Sequence, residues 1–242
     1  MFSVYIKEIN SFLNSLIGYI VICVFLIAIG LLMWVFPETS VLNYGFADMD
    51  TLFSFGPYVF MFLIPAITMR TFAEEKKSGT MELLLTRPIS DLHLILGKYF
   101  SGLTLVIFAL IPTGIYYYTI YQLGNPEGNV DTAGVIGSYI GLFLLGAVFT
   151  AIGVLSSAVT ENQVVAFIIG IFLCFILYVG FGSLAAINPW GGLSLILEQL
   201  GLTYHYNSMS RGLLDTQNIV YFLSVIALMI FLTKIVLGSR KW

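Results

Sequence analysis

Six stretches of the chain are apolar almost without interruption, and each is bounded by charges or turn residues. They cover about 16–36, ending at Pro37; 51–70, closed by Arg70; 92–120, most strongly after Lys98; 133–158; 163–187, stopping before Asn188-Pro189; and 217–238. A bilayer core of ~30 Å needs ~20 apolar residues in a helix, and each stretch supplies them. The pattern predicts an all-α membrane protein with six transmembrane helices, read as one domain over 1–242. The first stretch is read as a permanent span. About 15 residues with a single Lys precede it, it is too long for a signal-peptide core, and no small-x-small cleavage site follows.

Three further segments are neither spans nor simple turns. In 1–15, Phe2, Tyr5, Ile9, Phe12 and Leu13 recur at helical spacing, continued by Leu16, while Lys7, Asn10, Ser11 and Asn14 fall largely between them. That predicts an amphipathic helix along the inner membrane surface, the alternative being a disordered leader. The segment 74–90 reads EEKKSGTMELLLTRPIS. Ser78-Gly79 breaks the helix leaving the membrane, Ser78 or Thr80 can cap a short new helix, Pro88 ends it, and Ser90 or Asp91 can cap the next span. This short helix is apolar at Met81, Leu83, Leu84 and Leu85. Outside the membrane such a patch needs a cover, from a partner protein or from the inner ends of the spans. The third segment, 190–212, has Leu193, Leu195, Ile196, Leu197 and Leu200 in a run too short to cross. It is read as one or two short helices on the outer surface, the alternative being a plain loop.

Composition narrows the class. The 242 residues are 59% hydrophobic and 10% charged, with mean hydropathy +0.97. Soluble domains run near ~25% charged, so an ordinary soluble globule, a disordered chain and a disulfide-stapled domain are excluded. A net charge of −3 is too small to suggest a nucleic-acid partner. Cys23 and Cys174 both sit in apolar runs and read as packing residues. The placement of charge says more. Lys7, Arg70, Lys76, Lys77, Arg87, Lys98, Lys234, Arg240 and Lys241, nine of the ten basic residues, fall on one side of the six spans. The opposite loops hold Arg211 and the acids Glu38, Asp48, Asp50, Glu127, Asp131, Glu198 and Asp215. Basic loops stay cytoplasmic, so both termini are expected there.

Several chemistries lack their residues. No phosphate-binding G-x-x-x-x-G-K-[ST] occurs: Gly97-Lys98 is followed by Tyr99. Glu74-Glu75 would fit an E-E-x-x-x-R intramembrane metalloprotease element only with Arg at 79, where the chain has Gly79. Its two histidines, His93 and His205, are expected near opposite faces. The spans are expected to hold no ionisable group away from their ends, with Lys234 in the last turn of the sixth, which disfavours an ion relay. Tyr19, Thr104, Thr113, Thr150, Ser156 and Ser157 are expected to bond to backbone or neighbouring helices, the alternative being contact with a substrate. Gly137 and Gly141 form a G-x-x-x-G that permits a close helix contact, internal or between subunits. Pro65 and Pro112 are expected to kink their spans, and Tyr116, Tyr117 and Tyr118 to lie in an interfacial aromatic belt.

An amphipathic N-terminus, six spans, the loop EEKKSGTMELLLTRPIS and the segment YHYNSMSRGLLDTQNIVY, Tyr204 to Tyr221, together resemble an ABC-2-type transporter permease, in particular the gliding-motility-associated permeases of Bacteroidetes. The resemblance implies a bacterial inner-membrane subunit that pairs with a second permease chain, identical or not, among membrane lipids, and binds a separate ABC ATPase. No cofactor is expected in this chain, ATP and Mg being held by the ATPase, and no enzymatic activity. Residues 1–15 would be the elbow helix and 74–90 the coupling helix. Within it Glu75, Lys77, Ser78, Gly79, Thr80, Met81, Glu82, Leu84, Leu85, Thr86 and Pro88 would shape or form the docking surface. His205, Arg211, Gly212 and Asp215 would belong to an outer gate. The alternative function is a non-transporting membrane scaffold that recruits a cytoplasmic partner.

Overall fold

The computed structural model describes residues 1–43, 45, 47–81, 90–187, 193–212 and 215–239. Among these the chain is helical with no strand. Helix α1 spans Phe2–Leu13 and α2 Leu16–Trp34. Helix α3 runs Asp50–Lys77, broken at Met69. Helix α4 spans Asp91–Leu123, α5 Thr132–Val159 and α6 Gln163–Ala186. Two short helices follow, α7 (Leu193–Gln199) and α8 (Leu202–Met209), and then α9, Thr216–Gly238. Helices α3, α4, α5, α6 and α9 are each long and apolar enough to cross a bilayer. Helices α1 and α2 pass the same test only as a pair, meeting at 68°.

Capping fixes the helix starts. Asp131 accepts from the Gly134 amide at the start of α5, Asn162 from the Val164 amide at the start of α6, and Asp215 from the Gln217 amide at the start of α9. Each side-chain oxygen satisfies an amide that has no partner inside its helix. Ser90 does the same for the His93 amide at α4. Gly79, with φ of 69°, takes the left-handed turn after α3, and its amide donates to the Lys76 carbonyl at 3.2 Å. A residue with a Cβ would be strained there.

Two expected kinks are resolved differently. Pro112 lies in a 3₁₀ turn, Ile111–Thr113, inside α4. Pro65 lies inside helical α3, and the break comes four residues later, at Met69. Helix α6 changes to a π-helical turn at Ile176–Gly180.

Helix α5 is the hub. It is 83% buried over its most apolar stretch, against 22% for α6 and for α9. Phe60, Ile64, Val106, Leu145, Val148, Phe149 and Ile152 form the centre of the main core around it. A smaller core of Val4, Phe72, Met81, Leu94, Ile95, Val154, Ala158 and Leu237 closes the end that carries Lys7, Lys76, Lys77 and Lys98, here called the basic end. The opposite, acidic end carries α7, α8 and the α2–α3 and α4–α5 loops.

The interior polar groups bond within the protein. Thr150 and Ser156 donate to carbonyls of their own helix, Thr113 to the Leu110 carbonyl, and Thr104 pairs with Tyr5 across helices at 3.0 Å. Tyr19 is exposed. One charge that borders a span is nonetheless taken inside the protein. Lys98, about two turns into α4, is fully buried, because two carboxylates from other elements meet it there.

Candidate functional site

The basic end is built around the last two turns of α3, Arg70–Lys77, which are held from three sides. On the α5 side, the Ser157 hydroxyl donates to the Met69 carbonyl at 2.9 Å and accepts from the amides of Phe72 and Ala73 at 2.9 and 3.0 Å. A side chain of α5 thus caps the restarted part of α3. Lys76 donates to the Ala158 carbonyl near the C-terminus of α5, where a cation also meets the negative end of the helix dipole.

The other two sides share one ionic cluster. The Lys98 ammonium lies 2.8 Å from Glu8 Oε1, 2.9 Å from Glu75 Oε2 and 2.5 Å from the Thr71 carbonyl. It also stands 4.9 Å above the centre of the Phe72 ring, a cation–π distance. The other Glu75 oxygen accepts from Lys7 at 2.9 Å. Two lysines and two glutamates leave the cluster neutral. It joins α1, the end of α3 and the start of α4.

The residues expected to form a docking surface separate into three groups. Glu75 and Met81 are buried, Glu75 in the ionic cluster and Met81 in the smaller core. Lys77, Ser78, Gly79 and Thr80 are exposed. Ser78 and Thr80 pair at 2.9 Å, and the hydroxyl that accepts in that pair keeps its hydrogen for the Glu75 carbonyl, 3.3 Å from each. Glu82, Leu84, Leu85, Thr86 and Pro88 lie outside the described residues. Lys77 faces a surface cleft shared with Glu161 and Asn162 of the α5–α6 turn.

At the acidic end, α8 and its C-cap are fastened to five helices. Tyr206, 2% exposed, donates to the Phe53 carbonyl of α3 at 2.6 Å. Thr203 donates to the Tyr178 carbonyl in the π turn of α6. His205 is buried, with Nδ1 2.7 Å from Asn218 Oδ1 of α9 and Nε2 2.9 Å from the Gln199 carbonyl of α7, and its ring stacks on Tyr221. Ser138 of α5 donates to the Ser210 carbonyl at 2.9 Å. Gly137 and Gly141 let α8 approach α5: a Cβ at Gly137 would fall 2.9 Å from the Gly212 Cα, and one at Gly141 3.1 Å from Met209 Cβ. Both glycines serve a contact within the chain, made with α8.

Arg211 is exposed and lines a cleft with Asp48, Asp50 and Asp131, while Asp215 caps α9. Burial pushes the Asp48 carboxyl above its usual range; the Asp50 amide lowers it and the Asp50 charge raises it further.

Sequence reading did not single out Glu8 or assign Lys98 a partner. The available signal was a carboxylate in line with two apolar residues, Val4, Glu8 and Phe12 falling four apart on the one buried face of α1.

The chain belongs to the ABC-2 family of transporter proteins, whose family model matches residues 3–240. No curated protein matches it significantly. Membership together with several bilayer-length apolar helices makes it a multi-pass membrane protein, consistent with the permease subunit of an ABC transporter.

Proposed function

We propose that the chain is the permease subunit of an ABC exporter, driven through its basic end by a separate ATP-binding subunit. The observation that carries this is the clamped end of α3: Lys77, Ser78, Gly79 and Thr80 are exposed on a helix end tied to α1, α4 and α5. A lever must be stiff to transmit a push, and cores built this way move between discrete arrangements rather than deforming smoothly. Segment 74–90 is then the coupling element, with Leu84 and Leu85 docking into a groove of the ATPase. Met81 faces inward and Glu75 acts by holding the segment in place. The basic end is cytoplasmic, both termini lie there, and the membrane is the bacterial inner membrane. Two permease chains pair, and α8 with its neighbours forms the outer gate. The work done is export of a substrate or drive for a gliding or secretion apparatus.

The test is co-purification. Leu84→Glu is expected to insert normally and lose the ATPase. Normal recovery of the ATPase with that variant overturns the docking assignment. A native-membrane pull-down that yields a stoichiometric partner with no nucleotide-binding subunit supports the scaffold reading instead.

A further inference from the structure

We propose that Glu8 and Glu75 are alternative counter-ions for Lys98, forming a latch that lets the loop-bearing end of α3 move while α1 stays fastened to α4. This rests on the reading of segment 74–90 as the driven element. The cluster places two carboxylates on one fully buried ammonium, at 2.8 and 2.9 Å. A buried cation with a single acid cannot release it without being left uncompensated in a low-dielectric interior. With two acids, either can leave.

The two are unequal. Glu8 Oε1 accepts a hydrogen bond from Lys98. Glu75 Oε2 is as close, but outside hydrogen-bond alignment with it. Its other oxygen is held by Lys7, whose side chain is 58% exposed, whereas that of Lys98 is 1% exposed. Glu75 therefore has a surface partner that can follow it outward, and Glu8 remains to neutralise Lys98. The releasable acid is Glu75, which sits on the helix end that bears the loop. The Thr71 carbonyl and the Phe72 ring complete the Lys98 site from α3 itself. They lie one helical turn before Glu75, closer to the point where Ser157 fixes α3 to α5, so a movement centred there displaces Glu75 more than it displaces them.

The experiment uses spin labels at Asn10→Cys on α1 and Glu74→Cys on α3, both exposed positions, in the full chain with Cys23 and Cys174 replaced by Ala, reconstituted in lipid nanodiscs. With Glu75 intact and no nucleotide, one narrow distance is expected. Glu75→Gln is expected to add a second, longer distance, and Glu8→Gln to leave the single distance in place. The double variant Glu8→Gln/Glu75→Gln is expected to lower the melting temperature by more than the sum of the two single changes. An unchanged distance in Glu75→Gln, or additive losses in the double variant, overturns the latch, and neither arm needs the ATPase. With the ATPase bound and trapped by ATP and vanadate, the longer distance is expected in the chain that keeps both acids. A single unshifted distance in that complex also overturns the latch. Failure of any ATPase to co-purify counts instead against the docking reading.

Discussion

Ser157 repairs the break in α3: its hydroxyl lies 2.9 Å from the Met69 carbonyl and takes the two amides that follow the break. A serine hydroxyl has one hydrogen to donate and two lone pairs, and all three are used. The first amides of any helix lack partners inside it. In α3 the restart at Arg70 would leave such amides buried, and α5 supplies the cap. Ser157→Ala removes the partner of three buried backbone groups, each costing about 1–3 kcal/mol when left unsatisfied. A fall in melting temperature of several degrees is expected in detergent, with faster amide exchange at Phe72 and Ala73. Unchanged exchange at those amides would show that they have another partner.

The contact of α3 with α5 is as close just above that cap. A Cβ at Gly153 would fall 1.9 Å from Thr68 Oγ1, while one at Gly182 meets nothing within 4 Å. Gly153→Ala must push α3 away from α5 and is expected to cost at least 1–3 kcal/mol, on the order of other overpacking changes. Gly182→Ala, in the exposed last turns of α6, is expected to be neutral or stabilising by up to ~1 kcal/mol through helix propensity. Thermal melts of the two variants side by side provide the comparison.

Lys98 should be far less replaceable alone than together with its acids. Lys98→Met leaves Glu8 and Glu75 facing an apolar site, and breaking a buried ion pair typically costs about 3–5 kcal/mol. Combining it with Glu8→Gln and Glu75→Gln removes the stranded charge and should restore much of that loss. A triple variant that melts lower than Lys98→Met would mean the glutamates serve some other partner.

Tyr206→Phe deletes one hydroxyl and keeps the ring. The bond to the Phe53 carbonyl, 2.6 Å and buried, is worth about 1 kcal/mol, with a further cost for leaving that carbonyl unpaired. Loosening of α8 is expected, read as faster amide exchange over Leu202–Met209 with exchange at the basic end unaltered. Equal changes at both ends would indicate a general loss of stability.

The helices were legible because the signal that defines them is strong: about twenty apolar residues end at a charge or a proline, and the boundaries fell within a few residues. The end of α3 fits as well: Ser78-Gly79 reads as the break of the helix leaving the membrane, and α3 ends at Lys77. Helix α3 continues to Lys77 because Ser157, 85 positions from Phe72 along the chain, satisfies its orphan amides. Nothing local encodes that partnership. The ionic cluster was hidden for a similar reason. Lys98 reads as a charge bordering a span, and Glu8 carries no reading of its own. Only their tertiary meeting makes burial affordable. Gly137-x-x-x-Gly141 showed that something packs closely on α5, but the pattern does not carry the identity of the neighbour, which is α8.

The π turn of α6 has a consequence for insertions and deletions. A π turn holds one residue more than the α turn it replaces, so Ile176–Gly180 amounts to a single inserted residue. Deleting one residue there would let α6 close into a regular ladder. Because the π turn absorbs its extra residue within that turn, the helix beyond it would keep nearly the same face. Phe181–Ala186 would keep their side toward the acidic end, while the Tyr178 carbonyl that Thr203 now occupies would be drawn back into the helix. The extra residue of α6 thus serves the seat of α8, and a one-residue deletion in this turn would be felt there while the helix beyond kept its register.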